Sequence, residues 1–532
     1  MQRALSRLSS ETFDCLIVGG GATGCFIARD AARRGLSVAL VETNDFASAT
    51  SAHSSRLAHG GLRYLRNLEI GLVRESLSER GTLLKIAPHL VRPLPFLLPL
   101  YGTPLTERLK LAAGLTLYDL LAGGQLPRHR WIGRAEALAR APVLEGDGAT
   151  GKFRGAFEYH DAQMYAPERI ALENLIDADA HGAALANHLS CETLLMRDGR
   201  IEGASVRDAL SGETFDIRAR SLVVAAGPWA DLFLEKASGK KAEHRLIRSK
   251  GIHLMVPKLS EAALAIEAGN GHLFALPWRG HTLLATTDTP FSGDPSTVAV
   301  QDSDIALLLG AFQKYLPAAG LTEGSIQAFY AGLRPLVADG KSGGTYNVSR
   351  RAELVDHAEE GLDGVFSALG GKWTTSRALA QSVTDALAAK LEKKTERCTT
   401  ASVPLPGGRF DDFEQMLRGF NKTWPGIAAL RPMAHMLGRR LPEALKGARL
   451  TDLMPFNESG DTPAQIAFAL KEEMALTLED MVMRRTGIGL FGPPAPSVLA
   501  RVAGLMGDHL GWDEARKMRE IESLAPLYRS VP

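Results

Sequence analysis

Apolar and polar positions recur with different periods along the chain, and the sharpest change of period comes first. Residues 14–42 read DCLIVGGGATGCFIARDAARRGLSVALVE, in which the continuous apolar run Leu16, Ile17 and Val18 predicts a buried strand that ends in glycines. Ile27, Ala28 and Ala31 then recur at helical spacing until Gly35 stops them, and Val38 to Val41 predict a second strand that finishes on Glu42. Further on, Pro167 to Gly182 has the pattern of an amphipathic helix, and Leu222 to Ala226 that of a short strand closed by a glycine-proline turn. Thr374 to Leu391 predicts another helix. Between 240 and 350, short β-like runs (Ile252 to Val256, Leu273 to Leu276, Thr282 to Thr286) alternate with turns, as in an antiparallel sheet. Val403 to Gly408 reads as a linker, and residues 400–532 as rich in helix.

One stretch supports two readings. Leu90 to Tyr101 and Leu105 to Leu121 mix many leucines with Arg108 and Lys110, as a membrane-surface segment does. The same leucines also suit core or dimer contacts.

The chain has 532 residues, more than one hydrophobic core usually organises, so two or three domains are expected. Its formal net charge is +1, which removes any global electrostatic case for nucleic acid, so an anion site must be built locally. Cys15, Cys25, Cys191 and Cys398 are widely spaced, offer neither a disulfide framework nor a metal site, and are expected to be reduced, with Cys15 and Cys25 buried. Met1 to Ser10 lacks the apolar run of a secretory signal, and no window approaches the roughly 20 apolar residues of a spanning helix. The expectation is a cytoplasmic protein that lies on a membrane if it meets one.

The first 42 residues carry chemistry. In Gly19-x-Gly21-x-x-Gly24, Gly19 makes a tight turn, Gly21 lets backbone approach a pyrophosphate, and Gly24 lets helix and strand pack closely. The helix N-terminus offers amide donors, and Glu42 is placed to accept from a ribose hydroxyl. The fingerprint does not choose NAD over FAD, although its place at the N-terminus leans towards FAD. Residues 44–65, NDFASATSAHSSRLAHGGLRYL, are rich in Ser, Thr, His and Gly and suit a loop along a cofactor.

That segment, a serine-rich run followed by His-Gly-Gly-Leu-Arg-Tyr, resembles FAD-dependent glycerol-3-phosphate dehydrogenases. The resemblance recurs at Glu158 to Asp161, Val223 to Trp229, Ser249 to His253, Pro277-Trp278, Thr286 to Asp288, Gly293 to Pro295, Gly332 to Leu336 and Gly370 to Thr375. It covers roughly residues 14–380, and Met481 to Gly489 resembles part of the family's helical cap.

The resemblance implies an α/β fold: a doubly wound, Rossmann-like FAD-binding domain, an antiparallel β-sheet substrate domain and a C-terminal helical domain. The FAD domain is expected in three parts, 12–90, 151–240 and 351–395. A helical or apolar, membrane-facing insertion is expected at 91–150, the substrate domain at 241–350 and the helical cap at 403–532. The implied reaction is oxidation of glycerol 3-phosphate to dihydroxyacetone phosphate by hydride transfer to flavin N5. Electrons would pass to a membrane quinone from the cytoplasmic face of the inner membrane, and a homodimer is compatible.

Such chemistry needs a base near the C2 hydroxyl and cations for a dianionic phosphate. Arg63, Tyr64, Arg334 and Arg350, or its neighbour Arg351, match family positions near the substrate, with Thr287 beside them; Arg334 and Lys372 are expected to be catalytic, Lys372 reaching the substrate hydroxyl or the charge of the reduced flavin. His253, in the Lys-Gly-x-His block, is the expected proton acceptor, with His59 its rival; Thr286, Thr287 and Asp288 are expected to line the site or orient His253. Cofactor contacts are expected from Gly19, Gly21, Gly24, Glu42, Thr50, Ser51, Ser55, His59, Gly60, Gly61 and Gly227, and from Gly371, Lys372, Trp373 and Thr374 where helix amides face flavin charge. Trp373 departs from the family, which usually has an apolar residue such as Leu there.

Other functions share these features: an oxidase that passes electrons to oxygen, a dehydrogenase of a longer polyol phosphate such as erythritol phosphate, or a flavin-binding redox sensor. A glycine-type oxidase would share the fingerprint but is expected to lack the HGGLRY and GGKWTT blocks.

Overall fold

The structure, a computed structural model, describes residues 1–65, 68–148, 151–240, 246–268, 271–338 and 351–528. The strands Cys15–Val18, Val38–Val41 and Leu222–Val224 are buried along their whole length, as uninterrupted apolar runs require of a sheet covered on both faces. They lie inside a six-stranded sheet ordered Ala352–Asp356, Val365–Gly370, Leu222–Val224, Cys15–Val18, Val38–Val41, Ala184–Ala186. All neighbours run parallel except Ala352–Asp356 against Val365–Gly370.

Alternation sorts the side chains of this sheet. Cys15, Ile17, Val38 and Leu40 face the helices Ala22–Arg33, Pro167–Ala180 and Ser376–Lys390, while Leu16, Val18, Ala39 and Val41 face Leu194, Ile201, Val206 and Ile217 of a second, four-stranded sheet. The helix expected over Pro167 to Gly182 ends at Ala180 and is buried on nearly every side, not amphipathic. Its polar positions are tolerated inside because they are paired: Glu168 with Arg56 at 3.1 Å, Glu173 with His89 at 3.1 Å and Asp177 with Arg29 at 2.6 Å.

The third sheet is the large, mainly antiparallel one. Leu246–Pro257, Gly271–Trp278, His281–Ala285 and Ala328–Val337 belong to it, and the helix Asp302–Tyr315 packs Ile305, Leu308 and Phe312 behind it. It also reaches beyond residues 241–350. The stretch expected to open a helical insertion at 91 is the strand Val91–Tyr101, which pairs antiparallel with Gly151–Met164, a strand that also lies outside those bounds. Pro93, Pro95 and Pro99 argue against a central strand, and the structure accommodates them because the neighbour on the other side pairs only at Phe96 and Leu97. Leu105–Ala122 is the helix that follows. Among the described residues no helix is long and apolar enough to cross a membrane.

Residues 413–523 form the helical domain, with helices Phe413–Thr423, Leu430–Leu437, Pro463–Glu472, Pro496–Leu510 and Glu514–Ser523. The expected linker is a packed seam: Gly407 and Gly408 are buried, and the Gly407 amide donates to Glu173 at 3.0 Å. Cys15, Cys25 and Cys191 are buried and unbridged, and burial pushes the Cys15 thiol up to about 12.

Candidate active site

A cavity of about 2140 Å³ opens at the carboxyl ends of the parallel strands and continues along the large sheet. Ordinary small-molecule pockets end near about 1,000 Å³, so this one has room for an extended dinucleotide and a second ligand. Its floor is the fingerprint turn. Gly19 has φ +113°, a left-handed conformation that favours glycine, and a Cβ on Gly24 would come within 1.9 Å of the Gly19 carbonyl oxygen. Gly19 and Gly21 line the cavity, whereas Gly24 does not; its task is close packing of helix against strand.

Glu42 is held rather than free. It accepts from the Gly20 amide at 2.6 Å and the Asn44 amide at 2.9 Å, and burial holds its carboxyl above the usual range despite those bonds. The serine-rich loop is tied to the cavity wall: Ser51 Oγ accepts from the Ala22 amide at 2.9 Å, Thr50 donates to the Leu333 carbonyl at 2.8 Å, and Trp373 Nε1 donates to the Ser51 carbonyl at 3.2 Å. Ser55, His59, Gly61, Gly227, Gly371 and Thr374 join these on the lining. Gly60 does not: a Cβ there would meet Leu77 at 2.2 Å, and its amide donates to Asp161 at 3.0 Å.

Gly371, with φ +83°, turns the chain from Val365–Gly370 into the helical turn Trp373–Thr375 and the helix Ser376–Lys390. Thr374 is buried there, its Oγ1 has no hydrogen-bond partner among the described residues, and it faces the cavity. A buried orphan hydroxyl at a helix N-terminus fits a ligand that offers polar atoms at that point. This, with the cradle at Gly19 and Gly24, fits a bound FAD.

Cations also line the cavity, in two places. Lys372 Nζ donates to Ser76 Oγ at 2.6 Å and stands 4.2 Å over the Tyr64 ring, with Arg63 4.8 Å from the same ring and donating to the Tyr64 hydroxyl at 3.1 Å. Burial, then the neighbouring Arg63 charge, lowers the Lys372 ammonium to about 7, against the opposing pull of Glu75, Glu69 and Asp161. Arg334 donates to Thr286 Oγ1 at 2.9 Å, the Thr287 carbonyl at 3.1 Å and Ser249 Oγ at 3.3 Å. Its guanidinium lies against Gly251, where a Cβ would meet Nη2 at 2.1 Å.

His253 faces the cavity with Nε2 at 2.9 Å from Ser55 Oγ, its ring stacked on Tyr330 at 4.8 Å. Burial first, then the charges of Arg334 and Arg56, hold it well below its ordinary value, so the free protein carries a neutral imidazole. Two expectations change here. Thr287 does not line the cavity: its hydroxyl accepts from the Ile252 amide at 3.0 Å and its carbonyl holds Arg334. Thr286 and Asp288 do line the cavity; Asp288 accepts from Ser249 at 2.5 Å, so this segment orients Arg334, while Ser55 and Tyr330 orient His253. Arg350 lies outside the described residues.

Sequence reasoning gave no role to Asp161, Ser76 or Tyr330. Asp161 accepts from Gly60, from Arg80 at 3.0 Å and from Tyr118 at 2.9 Å, and so fixes the glycine pair that precedes Arg63. The Glu158 to Asp161 block was its only signal. Ser76 and Tyr330 stand in otherwise ordinary helix and strand patterns and had none.

The model of a family described as FAD dependent oxidoreductase matches residues 14–386, and one described as the C-terminal domain of alpha-glycerophosphate oxidase matches residues 398–517. A Synechocystis protein named glycerol-3-phosphate dehydrogenase is 33% identical over 98% of this chain and 97% of its own. The mitochondrial glycerol-3-phosphate dehydrogenase of Mus musculus is 34% identical, over 97% of this chain and 73% of its own. Among solved structures, the glycerol-3-phosphate dehydrogenase of Bacillus halodurans complexed with FAD is similar with a TM-score of 0.76 at 27% identity, over 98% of this chain and 96% of that one. A glycine oxidase from Geobacillus kaustophilus, 22% identical with a TM-score of 0.54 over 76% of this chain and 100% of its own, shares the fold.

Proposed function

Since the chain belongs to the FAD-dependent glycerol-3-phosphate dehydrogenase family, with FAD as its cofactor, we propose that it oxidises glycerol 3-phosphate to dihydroxyacetone phosphate and passes the electrons to a membrane quinone. The observation that carries this reading is that Arg334 and His253, and the neighbouring pair Arg63 and Lys372, all line one cavity, with His253 held neutral. Cations on a cavity lining favour an anionic ligand, and arginine's planar fork suits phosphate oxygens.

Bound FAD supplies the two-electron acceptor for the hydrogen that leaves C2 as hydride. The chain supplies the rest. His253 Nε2 accepts the proton of the C2 hydroxyl as the carbonyl forms, displacing Ser55 as its partner. The phosphate charge offsets the cations that depress His253, so the base strengthens when substrate is in place. Ser249, Thr286 and the Thr287 carbonyl keep Arg334 aimed at the ligand.

The quinone part rests on a different feature. Leu98, Leu100, Leu111, Leu115, Leu273 and Phe274 give the cavity apolar lining, with Leu111 and Leu115 coming from the helix Leu105–Ala122. The outer face of that helix leaves Leu105, Leu109 and Leu120 67%, 62% and 68% exposed, which supports contact with a membrane surface from which an apolar acceptor enters. Assay without oxygen and with a quinone analogue, beside aerobic assay of peroxide, tests this. Quinone reduction without peroxide is expected, and peroxide in step with substrate consumption would instead assign an oxidase.

A further inference from the structure

We infer that the C-terminal helical domain is part of the FAD site, closing the adenosine end of the cavity through a buried cluster in which Arg484 and Arg485 grip Asp45.

Glu42 directly follows the second fingerprint strand, Val38–Val41, the place where a dinucleotide fold meets the ribose of its adenosine half. The chain continues directly into the cluster. The Asn44 carbonyl accepts from the His188 amide at 2.8 Å, and Asp45 next to it is fully buried. Its carboxylate takes Arg485 Nη1 at 2.7 Å, Arg485 Nη2 at 2.8 Å, Arg484 Nε at 2.5 Å and Asn187 Nδ2 at 2.9 Å. Arg484 also donates to Asp480 at 3.0 Å and Glu479 at 2.8 Å, and Asp480 takes His188 Nε2 at 2.9 Å. A bond from the Thr486 amide to the Met481 carbonyl at 3.0 Å widens the helical turn that carries the two arginines.

Two buried carboxylates and two guanidiniums thus meet in the protein interior, with Glu479 at their partly exposed edge and His188 beside Asp480. Burial opposes the charge on His188, but its bond to Asp480 and the surrounding carboxylates hold it above its ordinary value. Asp45, His188 and Asp480 lie within metal-binding reach of one another, yet guanidinium donors already occupy both carboxylates, so a cation would have to compete with two arginines. The cluster is a latch between domains. Asp45 lies three residues beyond Glu42 in the cofactor domain, and the arginines belong to the helical domain.

That domain also forms the wall itself. Thr477, Glu479, Met483 and Ser523 line the same cavity as Glu42 and Asn44. An adenosine held at Glu42 therefore faces helical-domain side chains, and its binding and the docking of that domain form one linked equilibrium. The inference needs FAD as cofactor, and is independent of which polyol phosphate or electron acceptor the protein uses.

The test compares two flavins that differ only in the adenosine half. In full-length Arg485→Met and Asp45→Asn proteins stripped of cofactor, FAD affinity read by flavin fluorescence is expected to fall about tenfold or more, with FMN affinity unchanged. Equal losses for FAD and FMN, or no loss for either, would overturn it. Because a broken buried pair can prevent folding, the unmodified apoprotein provides a second measurement: adding ADP should slow amide hydrogen exchange over residues 477–486. Protection confined to the residues around Gly19 to Glu42 would contradict the linkage.

Discussion

The guanidinium of Arg334 is seated on Gly251, so close that a Cβ at that glycine would stand 2.1 Å from Nη2. The two residues lie on paired strands, Leu246–Pro257 and Ala328–Val337, where Gly251 faces Gly332 and Lys250 faces Leu333. Gly251→Ala must push the guanidinium out of place. It should raise KM for glycerol 3-phosphate roughly 10- to 100-fold, as loss of a charge-assisted phosphate contact does, and leave the flavin spectrum unchanged. An unaltered KM would show that Arg334 does not act on the substrate.

Gly24 supports a different outcome. Its Cβ position is 1.9 Å from the Gly19 carbonyl oxygen, and backbone cannot give way there without reopening the fingerprint turn. Gly24→Ala should therefore purify without FAD, as read from the ratio of flavin to protein absorbance. Full flavin content would show that the turn tolerates the displacement.

The pH dependence should follow Lys372, not His253. Lys372 titrates at about 7, lowered by burial and Arg63, so its ammonium is present below that pH and lost above it. Binding of a dianion favours the charged form, and kcat/KM should decline as pH rises through about 7, a free-enzyme titration. His253, held well below its ordinary value, stays neutral throughout this range and adds no limb. Lys372→Arg should flatten the profile; a profile with the same limb would assign it to another group. His253→Gln should slow flavin reduction at every pH without shifting the limb.

The exposed leucines give a prediction about the acceptor. Replacing Leu105, Leu109 and Leu120 together by Ser leaves the cavity lining intact, because these side chains point outward. Turnover with a long-chain quinone in vesicles should fall severalfold, with turnover on a soluble dye unchanged. Equal rates with both acceptors would remove this helix from the membrane contact.

What could be read from the chain was what local pattern controls. The strand, turn, helix and strand of residues 14–42 lie within one short segment, and the structure has each where the periodicity predicts it. The glycines with close neighbours followed the same logic. Pairings made across the fold were not readable: Asp45 and Arg485 are 440 positions apart, and nothing local marks either as the other's partner. Val91–Tyr101 failed for a different reason: its leucines read together with those of the helix after it, while their place in a strand is set by pairing with the distant Gly151–Met164. Thr287 was placed in the right block, but its side chain is claimed by the Ile252 amide, which only the register of the sheet reveals.

Adding glycerol 3-phosphate to the purified holoprotein without oxygen, and following the flavin absorbance, tests the central claim most directly. Rapid bleaching that saturates with substrate, with none on adding glycerol, is the predicted result. A flavin that stays oxidised in excess glycerol 3-phosphate would contradict the account.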